Sequence, residues 1–160
     1  MKKTISIVSL LIAFSACKHN PNDKDKKQSE TPQLTAADST FSEAHYEIAT
    51  QALNTLKSKD YKTFATYTVT EFLPPNGFEN VSFITTTADY IKDKEMPAKE
   101  LVTFSVGLNS YKGDKIPYKM YTFPFYQIEN KDTIGRSSVI ITFADGIEKN
   151  RIANLSFRDY

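Results

Sequence analysis

Residues 102–126 read VTFSVGLNSYKGDKIPYKMYTFPFY. Val102, Phe104, Val106 and Leu108 alternate with Thr103, Ser105 and Gly107. A period of two turns one face of a strand inward. Residues 109–117, around Gly113, read as a loop. Tyr118 to Tyr126 is the most aromatic stretch of the chain and predicts a second strand. Its alternation puts Tyr118 and Met120 on one side, Tyr121 and Phe123 on the other. Pro124 has no N–H to give to a ladder, so it predicts an edge, a bulge or a sharp bend.

Downstream, residues 129–133 read as a turn, and Ile134 to Ala144 as a third strand with Val139, Ile141 and Phe143 on one side. Asp145-Gly146 predicts a tight turn. A fourth strand follows from Ile147 to Arg158, with Ala153, Leu155 and Phe157 inward. Short turns between successive strands favour antiparallel pairing.

Upstream, the period lengthens to that of helices. Phe41, Ala44, Ile48, Ala52 and Leu56, widened by Ala49 and Leu53, predict a helix over about residues 41–58. Thr40 and Glu43 have capping-box spacing, with Asp38 and Ser39 as alternative caps. His45 reads as a boundary residue, because no Asp, Glu or Cys stands beside it on the same face. Asp60 predicts the cap of a second helix, with Tyr61, Phe64, Ala65, Thr68 and Phe72 inward. Pro74-Pro75 stop it and Asn76-Gly77 turn the chain. A third helix over 81–92, capped by Asn80, would turn Phe83 or Ile84, Ala88 and Ile91 inward; Thr85-Thr86-Thr87 suits a strand as well. The expected class is α+β: two or three N-terminal helices packed on a curved four-stranded antiparallel sheet. Its open end would hold a ligand pocket.

This order resembles the nuclear transport factor two-like, or cystatin-like, cone superfamily, in particular its small bacterial envelope members. The resemblance rests on the helix junction Leu53–Tyr61 and on the hairpin 139–146 with 152–157, and it covers about residues 40–160. It implies a cone with a usable interior. The superfamily's enzymes use pocket Asp, His and Tyr residues, and none of those roles maps onto a residue here. Many relatives are non-catalytic binding or accessory domains, and that is what the resemblance implies.

The first 17 residues read MKKTISIVSLLIAFSAC, ending on the chain's one cysteine. Lys2 and Lys3, an apolar run from Ile5 to Phe14 and the small residues Ser15 and Ala16 have the layout of an export signal. The run is short of the roughly 20 residues that span a bilayer. Phe14-Ser15-Ala16-Cys17 resembles the lipobox of bacterial lipoproteins, although an aliphatic residue is usual where Phe14 stands. The resemblance implies cleavage before Cys17 and acyl lipid on its sulfur, hence a membrane partner. Lys18 is not the inner-membrane retention aspartate of enteric bacteria, which implies an outer-membrane address in the cell envelope and leaves the facing side open. Residues 17–38 are then a lipidated cysteine and polar tether, and 39–160 the folded domain.

Removing residues 1–16 takes away two lysines and leaves 18 basic against 19 acidic side chains, a net charge of −1. No basic stripe suggests nucleic acid. Two histidines and one acylated cysteine leave no zinc set, and no cofactor motif is present. His19 has no partner in reach; Asp89, Asp93 and Glu95 read as a solvated helix end, and the acidic turn 129–133 is too short for calcium. No catalytic residue is assigned. Tyr118, Tyr121, Phe123 and Tyr126 are the candidates for a binding surface, because tyrosine joins an apolar face to a polar tip. Proteins, peptides and glycans are ligands such a surface fits. A homodimer through the sheet is a further reading. The function expected is a membrane-anchored, non-catalytic binding or accessory module. The alternative is a small-molecule carrier or enzyme working in the cone interior. The enzyme version requires a carboxylate or histidine buried among aromatics with a shifted pKa, and a tyrosine donor nearby.

Overall fold

The apolar alternation runs into one four-stranded sheet, and the helices cover one of its faces. The structure, a computed structural model, describes residues 34–129 and 132–160. The leader (1–16), Cys17, His19, the tether through residue 33 and residues 130–131 of the expected turn lie outside the described residues. The last part of the expected tether is ordered: Asp38 accepts from the backbone N–H of Thr35 at 2.9 Å and from its hydroxyl at 2.6 Å.

Helix α1 is Glu43–Lys57. Its cap is Ser42, whose side chain accepts from the His45 N–H, so the cap lies two residues beyond the expected Thr40. The buried stripe is His45, Ala49, Ala52, Leu53 and Leu56. Ala44 is exposed. The helix is therefore rotated from the expected face, with His45 inside.

Helix α2 is only Tyr61–Ala65, capped as expected by Asp60, which accepts from the Thr63 N–H. It stops early because the next backbone bonds elsewhere. Val69 N–H donates to Ile152 O at 2.9 Å, and Ile152 N–H donates to Tyr67 O at 2.8 Å. Threonines with weak helix propensity offer little resistance to that exchange. Helix α3 is Ser82–Ile91, with Ile84, Thr87, Ala88 and Ile91 buried and no side-chain cap. Asn80, the expected cap, instead donates to the Asn76 carbonyl.

The strands are β1 (Thr103–Tyr111), β2 (Asp114–Glu129), β3 (Asp132–Phe143) and β4 (Ile152–Asp159). They form an antiparallel meander in the order β1-β2-β3-β4. The expected loop 109–117 is mostly ladder. Lys112 and Gly113, at φ 51° and 93°, form a two-residue turn. Positive φ at both positions suits the twist of a hairpin, and glycine takes the second without strain. The expected tight turn at Asp145-Gly146 is instead a longer connection, residues 144–151. Asp145 is engaged otherwise: its carboxylate accepts from the Asn150 N–H at 3.0 Å and contacts His45.

The curved cone is corrected. Three helices pack on a flat, open sheet, and the likeness to the cystatin-like cone superfamily does not hold. A cone needs strands bent in mid-span, and bends come from bulges. The register shifts only at Gln127/Ile128 and Thr142/Phe143, both near strand ends. Pro124 pairs with Ser138 in unbroken register, two residues past the last β1 partner at Thr103↔Thr122. It sits where β2 is itself an edge, so its missing N–H costs no ladder bond and forces no bend.

The helix-covered face carries Phe104, Tyr121, Ile141 and Leu155 in one row, with Phe123 and Val139 in the next. Phe41 meets Tyr121 edge-on at 5.3 Å, and Tyr46 stacks on Phe123 at 6.0 Å. The other face mixes Thr, Ser and Asn with Met120, Pro124 and Ile140, and Tyr118 lies across Gly107. A Cβ at Gly107 would come within 2.6 Å of that ring. Among the described residues no helix is long and apolar enough to cross a membrane.

Candidate functional site

The four aromatic residues expected to share a binding surface do not share one. Tyr121 and Phe123 are fully buried under the helices. Alternation puts Tyr118 and Tyr126 on the opposite face, Tyr118 half-buried and Tyr126 exposed. Tyr126 borders a hollow of about 600 Å³ with Met96, Leu101 and Pro124, where Asp93 and Glu95 also form part of the wall.

A second hollow, about 270 Å³, lies between the start of β4 and the irregular chain joining α2 to α3. That chain cannot be regular. It leaves α2 to pair with Ile152, makes a 3₁₀ turn at Thr70–Phe72, meets Pro74 and Pro75, and reverses at Gly77 with φ 78°. A second 3₁₀ turn at Phe78–Asn80 leads into α3. The detour holds the chain off the sheet edge and leaves a cleft. Phe64 and Phe78 line it, packed edge-to-face at 5.0 Å. Ile152 and Leu155 form the β4 wall. Phe72 and Phe83, 38% and 42% exposed, also line it and show their rings to solvent. None of the lining side chains is charged. Thr68 also lines the cleft; it is 8% exposed, and its buried hydroxyl has no hydrogen-bond partner. Such an orphan is uncommon in a folded domain.

Sequence reasoning assigned Phe72 to the inner face of a longer helix and left Phe83 and Ile84 as alternatives. The structure turns Ile84 inward and Phe83 outward. The usable signal was the cluster Pro74-Pro75-Asn76-Gly77 between phenylalanines, which breaks regular structure while keeping apolar side chains close.

His45 is the other site that sequence reasoning missed. It is 2% exposed, stacks on Phe143 at 4.3 Å and meets Tyr121 edge-on. Its Nε2 lies 3.2 Å from Asp145 Oδ1, a partner 100 residues away that no local pattern reveals. Burial lowers its pKa below the ordinary histidine value, and nearby Lys119 adds to this, while the Asp145 carboxylate acts against it. A buried histidine among aromatics is part of what an enzyme would require. A tyrosine, Tyr121, also stands beside it. The Tyr121 hydroxyl is occupied by Ser42, accepting its N–H at 3.0 Å and donating to its carbonyl at 3.2 Å. Neither hollow is lined by His45 or Tyr121. The arrangement fastens α1 to the β3–β4 connection.

Of the acidic residues, Asp89 pairs with Lys59 at 2.6 Å on the surface. Among the described residues no three His, Cys, Asp or Glu side chains come together. No family model matches this chain, and neither a curated protein nor a solved structure does.

Proposed function

We propose that the chain is an envelope lipoprotein, held at the outer membrane by lipid on Cys17, whose folded domain is a non-catalytic binding or accessory module. Its ligand enters the cleft between β4 and the α2–α3 connection. The observation that carries the reading is the lip of that cleft. Phe72 and Phe83 stay exposed beside an uncharged hollow, and Thr68 in its wall has a buried hydroxyl without a partner. Exposed aromatics around a concave apolar site are what a binding module keeps at some expense in solubility. The anchor is supported by the leader and its terminal cysteine.

Two measurements test the proposal. Cells fed an alkyne-labelled fatty acid should label the wild-type protein and fail to label Cys17→Ser. Equal labelling of both ends the anchoring claim. Benzene titrated into the ¹⁵N,¹³C-labelled protein should shift the Phe83 and Leu155 resonances selectively. No selective shift at saturating benzene ends the claim for the cleft.

A further inference from the structure

We propose that the cleft's ligand is an extended peptide segment, which adds as a fifth strand along the open edge of β4 and seats an uncharged apolar side chain in the cleft. This rests on the reading of the cleft as the ligand site and adds the ligand's class and binding mode.

The first argument is the state of the edge. β4 is the last strand of the sheet. Its outer side is met by the chain at Ile152, through the bonds to Tyr67 and Val69, and Thr68↔Ile152 is a parallel bridge. The chain then turns away at Thr70 into a 3₁₀ turn. A fifth strand is begun and abandoned.

The direction of the remaining backbone groups follows from register. Tyr160 N–H donates to Arg136 O, one step beyond the Ser137↔Asp159 pair. In an antiparallel ladder such pairs alternate, so Arg158, Ser156 and Asn154 turn their backbone toward β3. Leu155, Phe157 and Asp159 turn theirs outward. Among the described residues no backbone group bonds to these outward positions.

The second argument is position. One wall of the cleft is the strand itself, Ile152 to Leu155, so a chain paired at Leu155 runs beside the opening. The uncharged lining selects an uncharged side chain. The Thr68 hydroxyl stands where the abandoned strand stops. Exposed edges are usually blunted by charges, prolines or bulges. β4 has a bulge at Ala153 and Arg158-Asp159 at its end, while residues 154–157 (NLSF) carry no such guard. Edge pairing supplies affinity through the main chain, and the pocket supplies selectivity.

The test uses the full ¹⁵N-labelled chain in detergent micelles. The probes are acetylated, amidated octapeptides alternating threonine with phenylalanine, leucine or valine, each with an analogue N-methylated at alternate residues. At least one unmethylated peptide is expected to slow amide exchange at Leu155 and Phe157 by roughly tenfold. N-methylation, which removes ladder donors, is expected to weaken binding by about tenfold, and Phe83→Ser by about fivefold. Phe83 is exposed, so that variant should fold. The proposal is overturned if no peptide protects those amides at millimolar concentration, or if methylated and unmethylated peptides bind alike. Benzene separates the two levels. Binding of benzene without protection by any peptide leaves the cleft standing and removes strand addition; binding of neither removes both.

Discussion

Replacing His45 with phenylalanine should leave the domain folded and remove part of its sensitivity to acid. The new ring keeps the stack on Phe143 and gives up the contact with Asp145. A typical hydrogen bond contributes about 1 kcal/mol net. Against that loss, His45 Nδ1 is buried without a partner, and phenylalanine removes the orphan. The Asp145 side chain is 41% exposed, so it turns to water and leaves no stranded charge. At pH 7.5 the variant should lie within about 1 kcal/mol of wild type, roughly 3–6 °C in Tm for a domain this size.

The pH dependence carries the stronger claim. Burial lowers the His45 pKa in the folded state, with Lys119 acting the same way and Asp145 in opposition. The unfolded chain therefore binds the proton first as pH falls. The contribution of neutral His45 is fully present above the ordinary histidine pKa of about 6.5. It is lost as pH drops from there through the lowered folded value. Each unit of lowering corresponds to about 1.4 kcal/mol. Urea unfolding of wild type and His45→Phe at pH 7.5, 6.5, 5.5 and 4.5 measures it, since acid titration of the carboxylates other than Asp145 is common to both and cancels in the difference. Wild type should lose stability faster than the variant below about pH 6.5. Parallel curves, or a wild type that gains on the variant as pH falls, would refute the reasoning and show that the Asp145 charge prevails over burial.

Phe123 is fully buried and stacked with Tyr46, so Phe123→Ala should cost about 3–5 kcal/mol by urea unfolding. A loss under about 1 kcal/mol would place it outside the core. At Gly113, φ is 93° and nothing lies within 4 Å of a built Cβ, so Gly113→Val should cost only backbone strain, about 1–2 kcal/mol. Asparagine there should recover part of the loss, and equal stability of the glycine and valine proteins would argue against the two-residue turn.

Much of the fold was legible because it is written in local periods. The period-two runs around Val102, Tyr121, Val139 and Leu155 became four consecutive antiparallel strands, and the helical stripes became α1 and α3. Asp60 capped α2 as its type and position suggest. The errors share a cause. Thr40 lost the cap to Ser42, α2 stopped at Ala65, and Asp145-Gly146 gave up its turn. In each case the deciding partner lies far along the chain: Tyr121, Ile152 and His45 respectively. The cone failed similarly. Pro124 allowed an edge, a bulge or a bend; it is an edge, because β1 ends before reaching it, and no local pattern records where a neighbouring strand stops.

By itself the sequence determined the α-then-β order and the alternation of the strands, because these depend on residue type and spacing along one line. Tertiary structure alone decided that the sheet is flat, that two of the four chosen aromatics are core, that His45 meets Asp145, and that a cleft opens beside an unfinished strand. These depend on which segments meet across the sheet and compete for the same backbone bonds. A run of phenylalanines reads alike whether it ends as packing or as a lip, and only the position of Ile152 against Val69 separates Phe64 inside from Phe72 outside.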